Sequence, residues 1–151
     1  MLLPWTDDMV VTTPFDAECA ALADRHYARQ TVGSNQFMGN GKKLVLRDTE
    51  GTIVFGWLWS AFRKDGEQGY NCAIFRKESA DRRASDVILE AEQKAVDKWG
   101  PNRAFTFIDP MEVPPTFVRG LPCWGWCFYK AGWHFVKTTA SGKHLLEKEL
   151  R

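Results

Sequence analysis

Tyr129, Asp109 and the pair Arg82-Arg83 are the side chains whose types and settings suit catalysis. A tyrosine phenol titrates near pH ~10. It is therefore better matched than a carboxylic acid to protonating a departing thiolate, the step that completes attack of an amine on a thioester. Asp109 follows the extended run Phe105-Thr106-Phe107-Ile108 and precedes Pro110, which favours extended backbone before it and ends a strand. Strand ends are where α/β folds place reactive groups, so Asp109 is a candidate to orient or deprotonate a nucleophile. A second reading stands beside each: an Asx turn for Asp109, and half-buried packing beside Trp133 for Tyr129.

Arg82-Arg83-Ala84-Ser85 stand just ahead of a helix. Free amides at a helix start, reinforced by the dipole and two arginines, form an anion site without any special side chain. Solvated surface charge is the alternative. His26 falls at an apolar position of the first helix, which suits a core histidine or an orienting group better than a base. Tyr27 and Arg29 flank it and suit substrate contact, by stacking and by anion binding. Trp57 and Trp59 share one strand face, as the floor of a pocket or the underside of a helix. Trp124 and Trp126 are core aromatics or a platform for a base. Cys123 and Cys127 lie one helical turn apart, but no CxxC or HxxxH pattern accompanies them. They read as packing thiols, and no metal is expected.

The elements that must position these groups follow from periodicity. A helix is expected from Pro14 to Tyr27, with Thr13 as N-cap and Phe15, Cys19, Leu22 and His26 as its buried stripe. Ala28 to Lys42 is polar and glycine-containing and reads as a functional loop. Lys43–Arg47 and Thr52–Arg63 read as a hairpin whose second strand is apolar on both faces. Tyr70–Phe75 follows as a strand. A helix then starts with Ser85 or Asp86 as cap, carries Val87, Ala91, Ala95 and Trp99 as a stripe, and stops at Gly100-Pro101. Ala104–Ile108 is a buried strand, Met111–Pro122 a proline-rich connection and Trp124–Lys130 a short helix stopped by Gly132. Trp133–Thr139 and His144–Leu150 close as a hairpin.

The 151 residues, 44% of them apolar, suffice for one domain with a single core. Twenty basic against nineteen acidic residues give no global field to attract nucleic acid. The four cysteines and the lack of a signal-like start point to free thiols in a reducing cytoplasm. No apolar run approaches the ~20 residues needed to cross a bilayer, so no membrane partner is expected.

The order helix, loop, hairpin, strand, helix, strand, helix, hairpin predicts a mixed α/β (α+β) fold with a mostly antiparallel sheet flanked by helices. That order, over residues 14–150, resembles the GNAT acyltransferase superfamily. Phe128-Tyr129-Lys130-Ala131-Gly132-Trp133 is similar to that family's late F-Y-x-x-x-G-F signature with one residue fewer before the glycine. The resemblance implies an acyl-CoA donor, acetyl-CoA or another, lying on the strand before the long helix, with its pyrophosphate on Arg82, Arg83, Ala84 and Ser85. The family's Q/R-x-x-G-x-G/A pattern is absent there. His26-Tyr27-Ala28-Arg29, Ser85, Phe107-Ile108-Asp109 and Phe128-Tyr129 further resemble Mom-like DNA-modification proteins of phages, which modify adenine. This narrower likeness implies DNA as a partner, in a host cytoplasm, with Tyr27, Arg29, Asp109 and Tyr129 as site residues. Acetylation of a small-molecule amine and a non-catalytic module of the same fold are the alternatives.

Overall fold

The segment Ile53-Val-Phe-Gly-Trp-Leu-Trp59 offers apolar side chains to both sides, so as a strand it must be covered on both. The computed structural model, which describes residues 8–26 and 38–151, places it at the heart of a seven-stranded sheet. In chain order the elements are β1 (Val10–Thr12), α1 (Ala17–Asp24), β2 (Lys42–Arg47), β3 (Ile53–Trp59), β4 (Tyr70–Lys77), α2 (Ala84–Trp99) and β5 (Asn102–Ile108). β6 (Thr116–Val118), β7 (Leu121–Cys123), α3 (Trp126–Lys130), β8 (His134–Thr138) and β9 (His144–Leu150) complete them. The sheet runs β1-β2-β3-β4-β5-β9-β8, antiparallel at every contact except β4 with β5, and β6-β7 form a separate hairpin. The fold is therefore mixed α+β with a mostly antiparallel sheet, as the order of sequence patterns predicts.

Period-two alternation sorts the core into two layers. Leu44, Leu46, Ile53, Phe55 and Trp57 face α2 and α3, while Val45, Val54 and Leu58 face Cys19, Leu22 and Ala23 of α1. Trp57 and Trp59 lie beneath α2 rather than in a pocket floor. The Trp57 indole donates to Ala91 O at 2.9 Å, and Trp59 packs against Tyr70 and Trp99. α3 ends in a Schellman arrangement in which Gly132, at φ 95°, lets Trp133 N reach Phe128 O and Gly132 N reach Tyr129 O.

Several boundaries differ from the sequence expectation. α1 starts at Ala17 rather than Pro14, because Asp16, not Thr13, caps it: Oδ1 accepts from Glu18 N and Cys19 N while Arg47 and Thr12 hold Oδ2. Thr13 Oγ1 accepts only from Phe15 N, at 3.3 Å. The N-cap of α2 is Arg83, not Ser85 or Asp86. β3 ends at Trp59, short of Arg63. The connection Met111–Pro122 contains most of the β6-β7 hairpin, closed by Arg119 and Gly120, both at positive φ, the geometry that a two-residue hairpin turn needs. α3 starts at Trp126, after Gly125 at φ 78°. The expected functional loop falls largely on residues 27–37, outside the described residues.

Glu90, 1% exposed on α2, accepts from Asp8 N, Met9 N and Arg82 Nη1, the last at 2.8 Å. It fixes the chain before β1 to the long helix and neutralises Arg82. Removing one member of a buried charge pair strands the other. Glu90→Ala is expected to cost about 3–5 kcal/mol in urea unfolding, and Glu90→Ala combined with Arg82→Met to cost clearly less. A loss below about 1 kcal/mol for the single variant would contradict this anchoring role.

Candidate functional site

A one-residue irregularity in β4 opens the site. The β3-β4 register passes from Gly56↔Ile74 to Trp57↔Cys72, which leaves Ala73 with no opposite number. An extra residue of this kind bends its strand and increases its twist. Gly56 lies across from the bend, where a Cβ would come within 2.9 Å of Ile74 Cγ2 and 2.8 Å of Met38 Sδ. On its other side β4 pairs with β5 only through Tyr70↔Ala104 and Asn71↔Phe105. Past these positions the two parallel strands border a cleft of about 410 Å3, whose walls also include Cys127 and Phe128 of α3 and Ala84 of α2. Clefts at the carboxyl ends of parallel strands are where open sheets bind ligands.

The cleft favours anions. Its charged lining is Lys77 and Lys143, and no carboxylate belongs to it among the described residues. Neither lysine has an ion-pair partner among those residues, and Lys77 Nζ donates to Ser79 O at 2.5 Å. α2 begins beside it at Ala84, with no side-chain cap on its N-terminus, so the positive end of the helix dipole lies at the cleft.

Of the residues that the sequence nominates, Ala84 and His26 line this cleft. Ser85 is buried at the start of α2 and Arg83 is exposed. Arg82 is turned away into its pairing with Glu90 and Asp8, its side chain only 11% exposed, so the two arginines do not act together. Asp109 is spent on a turn: its Oδ1 accepts from Met111 N at 3.0 Å, and its carbonyl accepts from Glu112 N and Val113 N. Tyr129 does not line the cleft. It packs against the core, where burial and then the nearby Cys123 raise its pKa. Cys127 and Phe128 of the same helix line the cleft instead. Tyr27 and Arg29 lie outside the described residues.

Sequence reasoning missed Asn71, Cys127, Lys77 and Lys143 as lining groups. Asn71 is a polar residue inside an apolar strand, and that was the available signal. Burial raises the Cys127 thiol, with Lys130 and Lys77 opposing weakly, so the thiol stays protonated at neutral pH. All four cysteines are free thiols, and no cluster of three or more metal-ligating side chains occurs among the described residues. Nor does any helix among them have the length and apolarity to cross a membrane. Trp124 is partly buried against the core and lies perpendicular to the His144 ring.

The fold and cleft thus define an α+β protein with an anion-favouring slot at the one parallel strand pair among the described residues. No family model, no curated protein and no solved structure matches the chain.

His26 has a titration signature. Burial, and then the Arg76 charge, lower its pKa to about 4. The unfolded chain therefore takes up a proton on this residue near pH ~6.5 that the folded chain refuses, and stability is lost as pH falls from there towards 4. That loss is on the order of 2–3 kcal/mol by pH 4. Urea midpoints are expected to decline across this window in the wild type and much less in His26→Gln. Carboxylates with lowered values, such as Glu78 at about 2, begin to contribute only below about pH 5, so the upper part of the window belongs to His26. Parallel profiles for the two proteins would contradict the burial of His26.

Proposed function

We propose that the chain is a GNAT-type acyltransferase, which takes an acyl group from an acyl-CoA thioester lying between β4 and β5 and passes it to an amine. The observation that carries this reading is the parallel pair that stops after two residues. Past Asn71, β4 has no β5 backbone partner on that side, and among its backbone groups there Cys72 O is met by the Thr106 hydroxyl. Such an edge suits an extended arm containing amides, which pairs with it as an added strand would. The slot reaches the start of α2 at Ala84, where a free helix-start amide suits a phosphate, and Lys77 and Lys143 add the charge that a polyanionic carrier requires. A strand order with one internal parallel contact supports the same family likeness.

The chemistry needs few groups. The amine nitrogen attacks the thioester carbonyl, the C–S bond breaks, the nitrogen gives up a proton and the departing thiolate takes one. In this reading Cys127, protonated by burial and facing the cleft, supplies the thiolate's proton in place of Tyr129 and recovers one from the amine through solvent. A nucleobase acceptor is a second reading. It is favoured by the β6-β7 hairpin, which holds Phe117 and Leu121 about 70% exposed on either side of Arg119.

The helix start provides the test. Proline is tolerated at the first helical position, and Arg83 already has the extended backbone (φ −70°, ψ 137°) that a following proline requires. Ala84→Pro therefore deletes one amide N–H without disturbing α2. In calorimetric titrations acetyl-CoA is expected to bind the wild type and to bind Ala84→Pro about tenfold or more weakly, with an unchanged melting temperature. With acetyl-CoA bound, Cys127→Ala is expected to slow thiol release and Tyr129→Phe to leave it within about twofold. Absence of acetyl-CoA binding to the wild type would refute the reading. Equal affinity in Ala84→Pro would remove the phosphate from the start of α2.

A further inference from the structure

Asn71 stands at the last position where β4 and β5 pair, opposite Phe105, and lines the cleft at the point where pairing ends. It is 9% exposed, and its Oδ1 is buried with no hydrogen-bond partner. Buried side-chain oxygens nearly always find a partner, and an orphaned one destabilises the fold. A carboxamide retained under that penalty has a use for its free lone pairs. Thr106, on the other face of β5, donates its hydroxyl proton to Cys72 O at 3.1 Å, so it leaves the Asn71 oxygen unpaired. Asn71 Oδ1 is thus an acceptor at this end of the cleft that awaits a donor.

The charge of the donor follows from the same walls. The charged side chains that line the cleft are Lys77 and Lys143, with His26 as the further titratable base, and no carboxylate lines it among the described residues. An alkyl ammonium would give up its hydration, meet two cations and find no counter-ion. An uncharged N–H loses far less water and gains the Asn71 oxygen as acceptor. We infer that Asn71 is the acceptor-binding residue of this site, taking a hydrogen bond from an amine that is uncharged at neutral pH, an aromatic or heteroaromatic amine rather than an alkyl ammonium. The inference rests on the acyltransferase reading. A neutral amine also needs no strong base to strip it before attack, and the walls hold none: the one imidazole there titrates at about 4. Nitrogen attack, C–S cleavage and transfer of the nitrogen's proton to the thiolate then balance without any further reagent.

The amide N–H of the donor's own arm is the other source of the same chemistry, and the experiment separates the two. Thiol release from acetyl-CoA is measured with adenosine, aniline and a single-stranded oligonucleotide as neutral acceptors, and with spermidine and a lysine peptide as cationic ones. Acetyl-CoA affinity is measured alongside. The wild type is expected to use a neutral acceptor and neither cationic one. Asn71→Leu is expected to lose at least about tenfold in kcat/KM, chiefly through KM, with acetyl-CoA affinity within about twofold and a melting temperature no lower than wild type. Asn71→Asp, nearly isosteric, is expected to gain turnover with spermidine, because it supplies the missing anion. Preference of the wild type for spermidine or the lysine peptide overturns the inference and leaves the acyltransferase reading intact. A loss of acetyl-CoA affinity in Asn71→Leu that matches its loss in kcat/KM assigns the bond to the donor and also overturns it. Failure of the wild type to bind acetyl-CoA removes both.

Discussion

The unpaired Ala73 in β4 is the feature on which the site depends. Without an extra residue there, β4 would continue in register between β3 and β5 and the sheet would close over the cleft. Parallel strands exchange evenly spaced bonds along their full length when nothing bends them. Here two pairs form and then stop. The bend is held from outside by Gly56, whose lack of a side chain admits Ile74 and Met38, and from inside by Thr106, whose hydroxyl ties β5 to Cys72 O. In the proposed reading, this interruption of hydrogen bonding leaves backbone groups of β4 for a ligand to complete.

The remaining structure keeps that interruption from spreading. α2 seals one side of the sheet with Val87, Ile88, Ala91 and Ala95, and α1 seals the other with Cys19, Leu22 and Ala23. Glu92 receives the Trp133 indole at 3.0 Å and the Lys148 ammonium at 2.6 Å, and Lys148 also donates to Ala131 O. One buried carboxylate therefore joins α2, the end of α3 and β9. Burial raises its pKa against the opposing pull of Lys148 and Trp133, so the arrangement depends on both partners remaining in place. Because α3 is fixed in this way, Cys127 and Phe128 present a constant wall to the cleft.

Much of the scaffold was legible in the sequence, because burial on alternate residues leaves a period. β3, β4, β5, β9 and α2 follow from apolar patterning, and the stop of α3 follows from Gly132. The site was less legible, since a bulge is a property of the register between strands and Ala73 has no local mark of it. Tyr129 packs against the core, and which side of a five-residue helix meets the cleft is set by tertiary packing rather than by any local pattern. Arg82 read as an anion ligand or as a solvated charge, but its partner Glu90 lies eight residues on and is visible as a partner only once the helix is built. The turn at Asp109 was one of two open readings, and the hydrogen bond to Met111 N decides between them.

Hydrogen exchange of the full chain, with and without saturating acetyl-CoA, tests most directly whether the interrupted edge is where a ligand completes the sheet. Slower exchange is expected in residues 72–77 of β4 and at Ala84 and Ser85, with β2 and the β8-β9 hairpin unchanged. Unaltered exchange along β4 while acetyl-CoA is bound, or protection confined to another face of the protein, would contradict it.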